Sequence, residues 1–172
     1  MDEIVLRPAQ PGDGDDLARG WIQIGEYYAA LDPQGYQVPE PDGLAAWFET
    51  LLGRPSSEEM IWLVAEVDGR VVGSVEARLE RPIDTASRQL LRHLGELRVV
   101  VDTLGVEEPY RRRGVATQLM QAVEGWAQEQ GATLVSLETD IASPLSMPFY
   151  ERRMAYQRRA VIFQKRLHER PG

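Results

Sequence analysis

The chain has 172 residues, 43% of them hydrophobic and 27% charged, which is the make-up of an ordinary globular domain long enough to bury a core. Its formal charge of −8 argues against a general nucleic-acid binder, whose footprint is a basic surface. The absence of cysteine excludes disulfides, thiolate catalysis and cysteine metal sites.

The first residues lack the basic and apolar regions of a signal peptide, and no run approaches the ~18 consecutive apolar residues of a membrane helix. A cytoplasmic protein without membrane attachment is the expectation. Residues 4–7 read as a first strand, stopped by Pro8. The turn at residues 11–16 carries acids that can cap a helix, and residues 17–30 have helical character. Residues 31–43 read as a loop, after which Leu44, Ala45, Trp47, Phe48, Leu51 and Leu52 recur at helical spacing.

Residues 60–67 and 71–79 flank Asp68-Gly69, a pair suited to the positive φ of a tight hairpin turn. In the second of these strands Val71, Gly73, Val75, Ala77 and Leu79 alternate with more polar neighbours. Residues 81–95 form a longer connection, partly helical over 87–94. A strand follows over residues 97–106, and a helix over 114–130 buries Val115, Leu119, Ala122, Val123, Trp126 and Ala127 on one face. Gly131 ends it. A strand over 134–138, a short helix over 146–153 and a last strand over 157–167 complete the order β-α-α-β-β-β-α-β-α-β. That order predicts one α/β domain over residues 1–172, a mixed sheet with helices on both faces. His168, in the tail, has no functional case.

The most informative stretch runs from Val101 to Thr117: a strand, a turn containing Arg111, Arg112, Arg113 and Gly114, then a helix start at Val115, Ala116 and Thr117. Free backbone N–H groups and the positive end of the helix dipole converge there, which makes an anion site. Gly114 and the small Ala116 let an anion approach the backbone, and the Thr117 hydroxyl adds a donor. No Walker lysine, His-Glu-x-x-His or Gly-x-Ser-x-Gly pattern occurs, and the acidic glycine turn near Gly12 lacks the third glycine of a dinucleotide fingerprint.

Arg111-Arg-Arg-Gly114-Val-Ala116 matches [Gln/Arg]-x-x-Gly-x-[Gly/Ala], and Leu104-Gly-Val106, Pro109-Tyr110 and Phe149-Tyr150 stand around it in order. In these residues the chain resembles the GNAT superfamily of acyl-CoA-dependent N-acyltransferases, over about residues 4–167. The resemblance implies a GNAT-type fold, a mostly antiparallel sheet splayed between its two central strands. It implies acetyl-CoA as co-substrate, no metal, and direct attack by an amine. Leu104 and Val106 would offer backbone groups to pantetheine, the Val106 amide would polarise the thioester carbonyl, and residues 111–117 would hold the pyrophosphate. Ser143 and Ser146, at positions where the family has an asparagine and a small residue, would join the CoA-binding residues.

The resemblance makes Tyr150 the general acid for the departing thiolate, a phenol of pKa ~10 being protonated at neutral pH. The Gly-aromatic pair that usually follows appears as Ala155-Tyr156, one residue late, which leaves open whether Phe149 or Tyr150 faces the site. An alkylammonium needs a base. Asp102, sharing strand parity with Val100, Leu104 and Val106, is the first candidate, with Glu76, Glu138 and Asp140 as alternatives. The stretch from Trp21 to Tyr36, with Glu26, Tyr27, Tyr28 and Asp32, and the 81–95 connection would build the pocket for a small-molecule or peptide amine. A homodimer through the hairpin or last strand is consistent with this family, as is a catalytically silent CoA sensor of the same fold.

Overall fold

Five strands form one sheet in chain order, β1 (Val5–Pro8), β2 (Met60–Val67), β3 (Arg70–Glu80), β4 (Arg98–Val106) and β5 (Leu134–Leu137). This is a computed structural model that describes residues 3–167, so Met1, Asp2 and His168 lie outside it. The first four strands pair antiparallel and β5 joins β4 in parallel, across the helix α3 (Val115–Glu129). Two helices, α1 (Gly14–Leu31) and α2 (Leu44–Leu52), cover the other face. The mixed, mostly antiparallel α/β architecture expected from the sequence is the one observed.

Each face has its own core. Val75, Ala77, Leu79, Val99 and Val101 pack with Val115, Leu119, Met120, Val123 and Ala127 of α3. Leu17, Ala18, Phe48, Val64 and Val71 pack between α1, α2 and the sheet. The hairpin at Asp68-Gly69 forms as its sequence requires, with φ of 51° and 77°.

Two β-bulges depart from simple alternation. Glu66 pairs with Val71 but Ala65 pairs with Gly73, so Val72 is an extra residue. Val71 therefore faces α1 and α2, whereas Val75 faces α3. Glu76 pairs with Thr103 and Ala77 with Val101, so Asp102 is extra in β4.

At the start of α1, Asp13 makes no side-chain cap. Its carboxylate accepts two 2.8 Å hydrogen bonds from Arg7 instead, and Arg7 also reaches Glu66 at 2.7 Å. The capping is done by Glu49 of α2, which accepts from the Gly14 amide at 2.7 Å and the Gly12 amide at 3.0 Å. The 81–95 connection contains two short 3₁₀ turns, Ala86–Arg88 and Arg92–Gly95.

One expected element is absent. Residues 157–167 form no strand, and Val161, Ile162, Phe163 and Leu167 are exposed. Their β-branched and aromatic residues fit a strand locally, but a strand exists only when a neighbour takes its hydrogen bonds. No backbone hydrogen bond outside the helices and strands involves these residues. The outer edge of β5 consequently has no strand partner among the described residues. No helix among the described residues is long and apolar enough to cross a membrane.

Candidate active site

β4 and β5 pair only from Arg98–Leu134 to Val101–Leu137, after which β4 continues to Val106 paired with β3 alone. A gap opens there. The Glu107 amide donates to the Val72 carbonyl on the β3 side at 2.9 Å. Because strand backbone groups alternate in direction, Leu104 and Val106 turn their N–H and C=O the other way, into the gap. The Val106 carbonyl accepts from Arg111 Nε at 3.1 Å, in agreement with that direction. The Leu104 and Val106 side chains pack in the α3 core, so it is the backbone that lines the opening.

The α3 N-terminus stands at the mouth of this gap. Gly114 is its N-cap with φ 89° and ψ −1°, a conformation costly for any residue with a Cβ. The first intrahelical bond is Gln118 N–H to Gly114 C=O at 3.0 Å. The amides of Val115, Ala116 and Thr117 thus have no helical acceptor, and no side chain caps them. A Cβ built at Gly114 would meet nothing within 4 Å, so the approach to these donors is open. Arg112 also takes positive φ, 61°, which tightens the turn. The Arg111 guanidinium lies 5.7 Å from the Tyr27 ring centre and that of Arg113 lies 5.4 Å from the Tyr110 ring. The free donors, open approach and arginines fit the pyrophosphate of CoA.

On the other side of the gap, α1 is tied to the segment after β5. The buried Ser143 shares a 2.9 Å hydrogen bond with the Tyr27 hydroxyl and accepts from the Ser146 amide at 3.0 Å. The Ser146 hydroxyl pairs with Tyr28 at 3.0 Å. Both serines are thereby engaged with α1 tyrosines, a role the sequence did not reveal. A helical turn α4 (Ser146–Pro148) leads into a π-helical turn, Phe149–Arg153. Here the Met154 amide reaches the Phe149 carbonyl, five residues back, at 3.0 Å. The extra residue noticed in the sequence is absorbed by this turn, and Ala155 takes φ 59° where glycine would be at ease.

Both Phe149 and Tyr150 pack against the α3 core, their ring centres 5.1 Å apart. The Tyr150 hydroxyl makes no hydrogen bond to a described residue. Burial, and then the neighbouring Tyr28, push its pKa well above the ordinary phenol value, so it holds its proton throughout the neutral range. Tyr156, by contrast, donates its hydroxyl proton to Glu124 at 2.9 Å.

Asp102 does not share parity with Leu104 and Val106, because it is the bulged residue. It is exposed and ion-paired with Arg78. Glu80 takes Arg98. Glu76, one strand away, is half-buried and has no hydrogen-bond partner among the described residues. Burial raises its pKa, partly opposed by the charge of Arg78. Glu76 lines a cavity of about 170 Å³ between the sheet and helices α1 and α2, walled by Trp21, Trp47, Phe48, Trp62 and Thr103. Of the expected pocket stretch, Trp21 and Ile24 line this cavity, whereas Tyr27 and Tyr28 belong to the gap. Trp62 could have been flagged as one of four tryptophans, but its register with Glu76 depends on the bulge at Val72. Among the described residues no group of three or more histidines or acids is placed to hold a metal ion.

The comparisons with known proteins agree with this geometry. A family model described as "Acetyltransferase (GNAT) family" matches residues 21–156. The probable N-acetyltransferase camello of Xenopus tropicalis is 31% identical over 113 residues, covering 66% of this chain and 46% of that protein. The chain therefore spans about half the length of this curated relative. Among solved structures, a transcriptional regulator from Bacillus halodurans superposes with a TM-score of 0.70 at 18% identity, covering 96% of this chain and 100% of that one. An aminoglycoside N-acetyltransferase in complex with CoA gives 0.62 at 18% identity, covering 97% of both chains. The splayed sheet, the open helix terminus behind Gly114 and the matched family model lead to one conclusion: the chain belongs to the GNAT acetyltransferase family.

Proposed function

We propose that this chain moves the acetyl group of acetyl-CoA to a primary amine by direct attack. The observation that carries the reading is the parting of β4 from β5 after Val101, with the Leu104 and Val106 backbone turned into the gap ahead of the α3 N-terminus. Pantetheine would extend the sheet at that edge, and the pyrophosphate would accept from the amides of Val115, Ala116 and Thr117. Arg111, Arg112 and Arg113 add charge beside it.

The neutral amine nitrogen attacks the thioester carbon, and the carbonyl electron pair becomes an oxyanion at the Val106 amide. Collapse breaks the C–S bond, and the CoA thiolate takes a proton from the Tyr150 hydroxyl. The proton released by the amine leaves through a carboxylate or water. Tyr150 suits its part because its hydroxyl makes no hydrogen bond to a described residue and carries its proton throughout the neutral range.

The test is CoA thiol release with acetyl-CoA and a panel of amines, with CoA binding followed in parallel. Saturable release is expected with at least one amine class. Tyr150→Phe is expected to lower kcat about a hundredfold while CoA affinity stays within about twofold. Tight CoA binding without release across the panel would favour a sensor, and no CoA binding would overturn the reading.

A further inference from the structure

The cavity beneath α1 and α2 contains three carboxylates in its wall, and neither arginine nor lysine. Two of them are committed. Asp16 accepts from the Val71 amide at 2.8 Å and pairs with Arg19, and Glu107 pairs with Arg19 and Arg70. Glu76 alone has no hydrogen-bond donor. A half-buried carboxylate with no donor from the protein takes its hydrogen bonds from water, which the ammonium of a ligand can replace.

The row in which Glu76 stands is specific. Across the sheet, Trp62 of β2 pairs with Glu76 of β3, and Glu76 pairs with Thr103 of β4. Paired residues share a face with Cβ atoms about 5 Å apart, so an aromatic wall, a carboxylate and a hydroxyl follow one another toward the β4 edge that borders the gap. The cavity volume, about 170 Å³, is close to that of an engineered apolar cavity of about 150 Å³ that binds benzene.

Gly20 adds an independent sign. It lies in the middle of α1, where glycine costs about 1 kcal/mol against alanine. A Cβ there would meet nothing within 4 Å, so close packing does not require the glycine. Its missing side chain leaves room in the cavity that it lines.

Resting on the transfer reading above, we propose that this cavity is the acceptor site for a primary amine bearing an apolar group the size of one aromatic ring. The ring lies against Trp62 and Trp21, the ammonium donates to Glu76, and the nitrogen, freed for attack when its proton passes to Glu76 or water, is held over Thr103 at the rim of the gap. A polyamine, whose methylenes are interrupted by charges, or an aminosugar has no apolar group of ring size to fill this space, and a neutral ring compound has nothing to give Glu76.

Three of the four tryptophans line the cavity, so their fluorescence reports occupancy without turnover. Titration with 2-phenylethylamine is expected to give a saturable change, weakened tenfold or more in Glu76→Gln. Propylbenzene, the same ring without charge, is expected to bind both proteins alike. Gly20→Leu, which fills the cavity from α1, is expected to abolish both signals with the fold intact by circular dichroism. Spermidine is expected not to compete. Binding of 2-phenylethylamine that ignores both substitutions, or no saturable change, would overturn the proposal. Glu76-dependent binding without thiol release would leave the acceptor cavity standing and sink acetyl transfer. Thiol release from amines whose KM neither substitution alters would do the reverse.

Discussion

Glu76 illustrates how a single residue can carry the conflict between stability and binding. Its carboxylate is easier to protonate in the folded protein than in the unfolded chain, because burial disfavours the charge. A raised folded pKa means that its contribution is most favourable below the unfolded value of about 4.3 and is lost as pH rises through the folded value. Glu76→Gln is therefore expected to raise Tm at pH 7 by about 1–3 °C, the gain fading toward pH 4, in thermal melts at both pH values. Ala155 makes a smaller case. Held at φ 59°, it bears a Cβ where none is favoured, and Ala155→Gly is expected to stabilise the fold by about 0.5–1 kcal/mol in urea unfolding.

Among the elements, α3 is legible in the sequence because everything it needs is local. Its apolar face repeats at helical spacing, Gly114 sets its start, and Gly131 its end with φ 78°. Gly114→Ala is expected to cost about 1–2 kcal/mol and to weaken CoA binding, measured by urea unfolding and by calorimetry. The last expected strand shows the opposite. Residues 157–167 have strand-forming side chains but no partner, so their amides are expected to exchange with deuterium within seconds while those of β3 stay protected for hours. Strand register was equally beyond local reading. Counting back from the Asp68-Gly69 turn without a bulge pairs Trp62 with Val75, and only the extra Val72 brings Trp62 beside Glu76. The bulge at Asp102 likewise turned a candidate base outward to Arg78.

For the whole molecule, the buried Asp13 links β1, the start of α1 and, through Arg7, Glu66 of β2. Burial opposes its charge, yet the Arg7 hydrogen bonds, the Gln10 amide and the Arg7 charge outweigh that and hold its pKa below the ordinary value. A lowered folded pKa gives stability that is present above about pH 4 and lost as pH falls through the folded value. Arg7→Ala leaves Asp13 buried and unpaired and is expected to cost about 2–3 kcal/mol at pH 7, less at pH 3, in urea unfolding.

The sequence alone determined the helices, the hairpin, the glycine turn ahead of α3 and the family, because capping, turn chemistry and helical periodicity act over a few neighbouring residues. Only the tertiary structure decided which carboxylate stands unpaired, which tryptophans wall the cavity and whether the last segment finds a sheet edge. Those outcomes depend on bulges and on partners distant in the chain, where one extra residue in a strand changes the face its neighbours present.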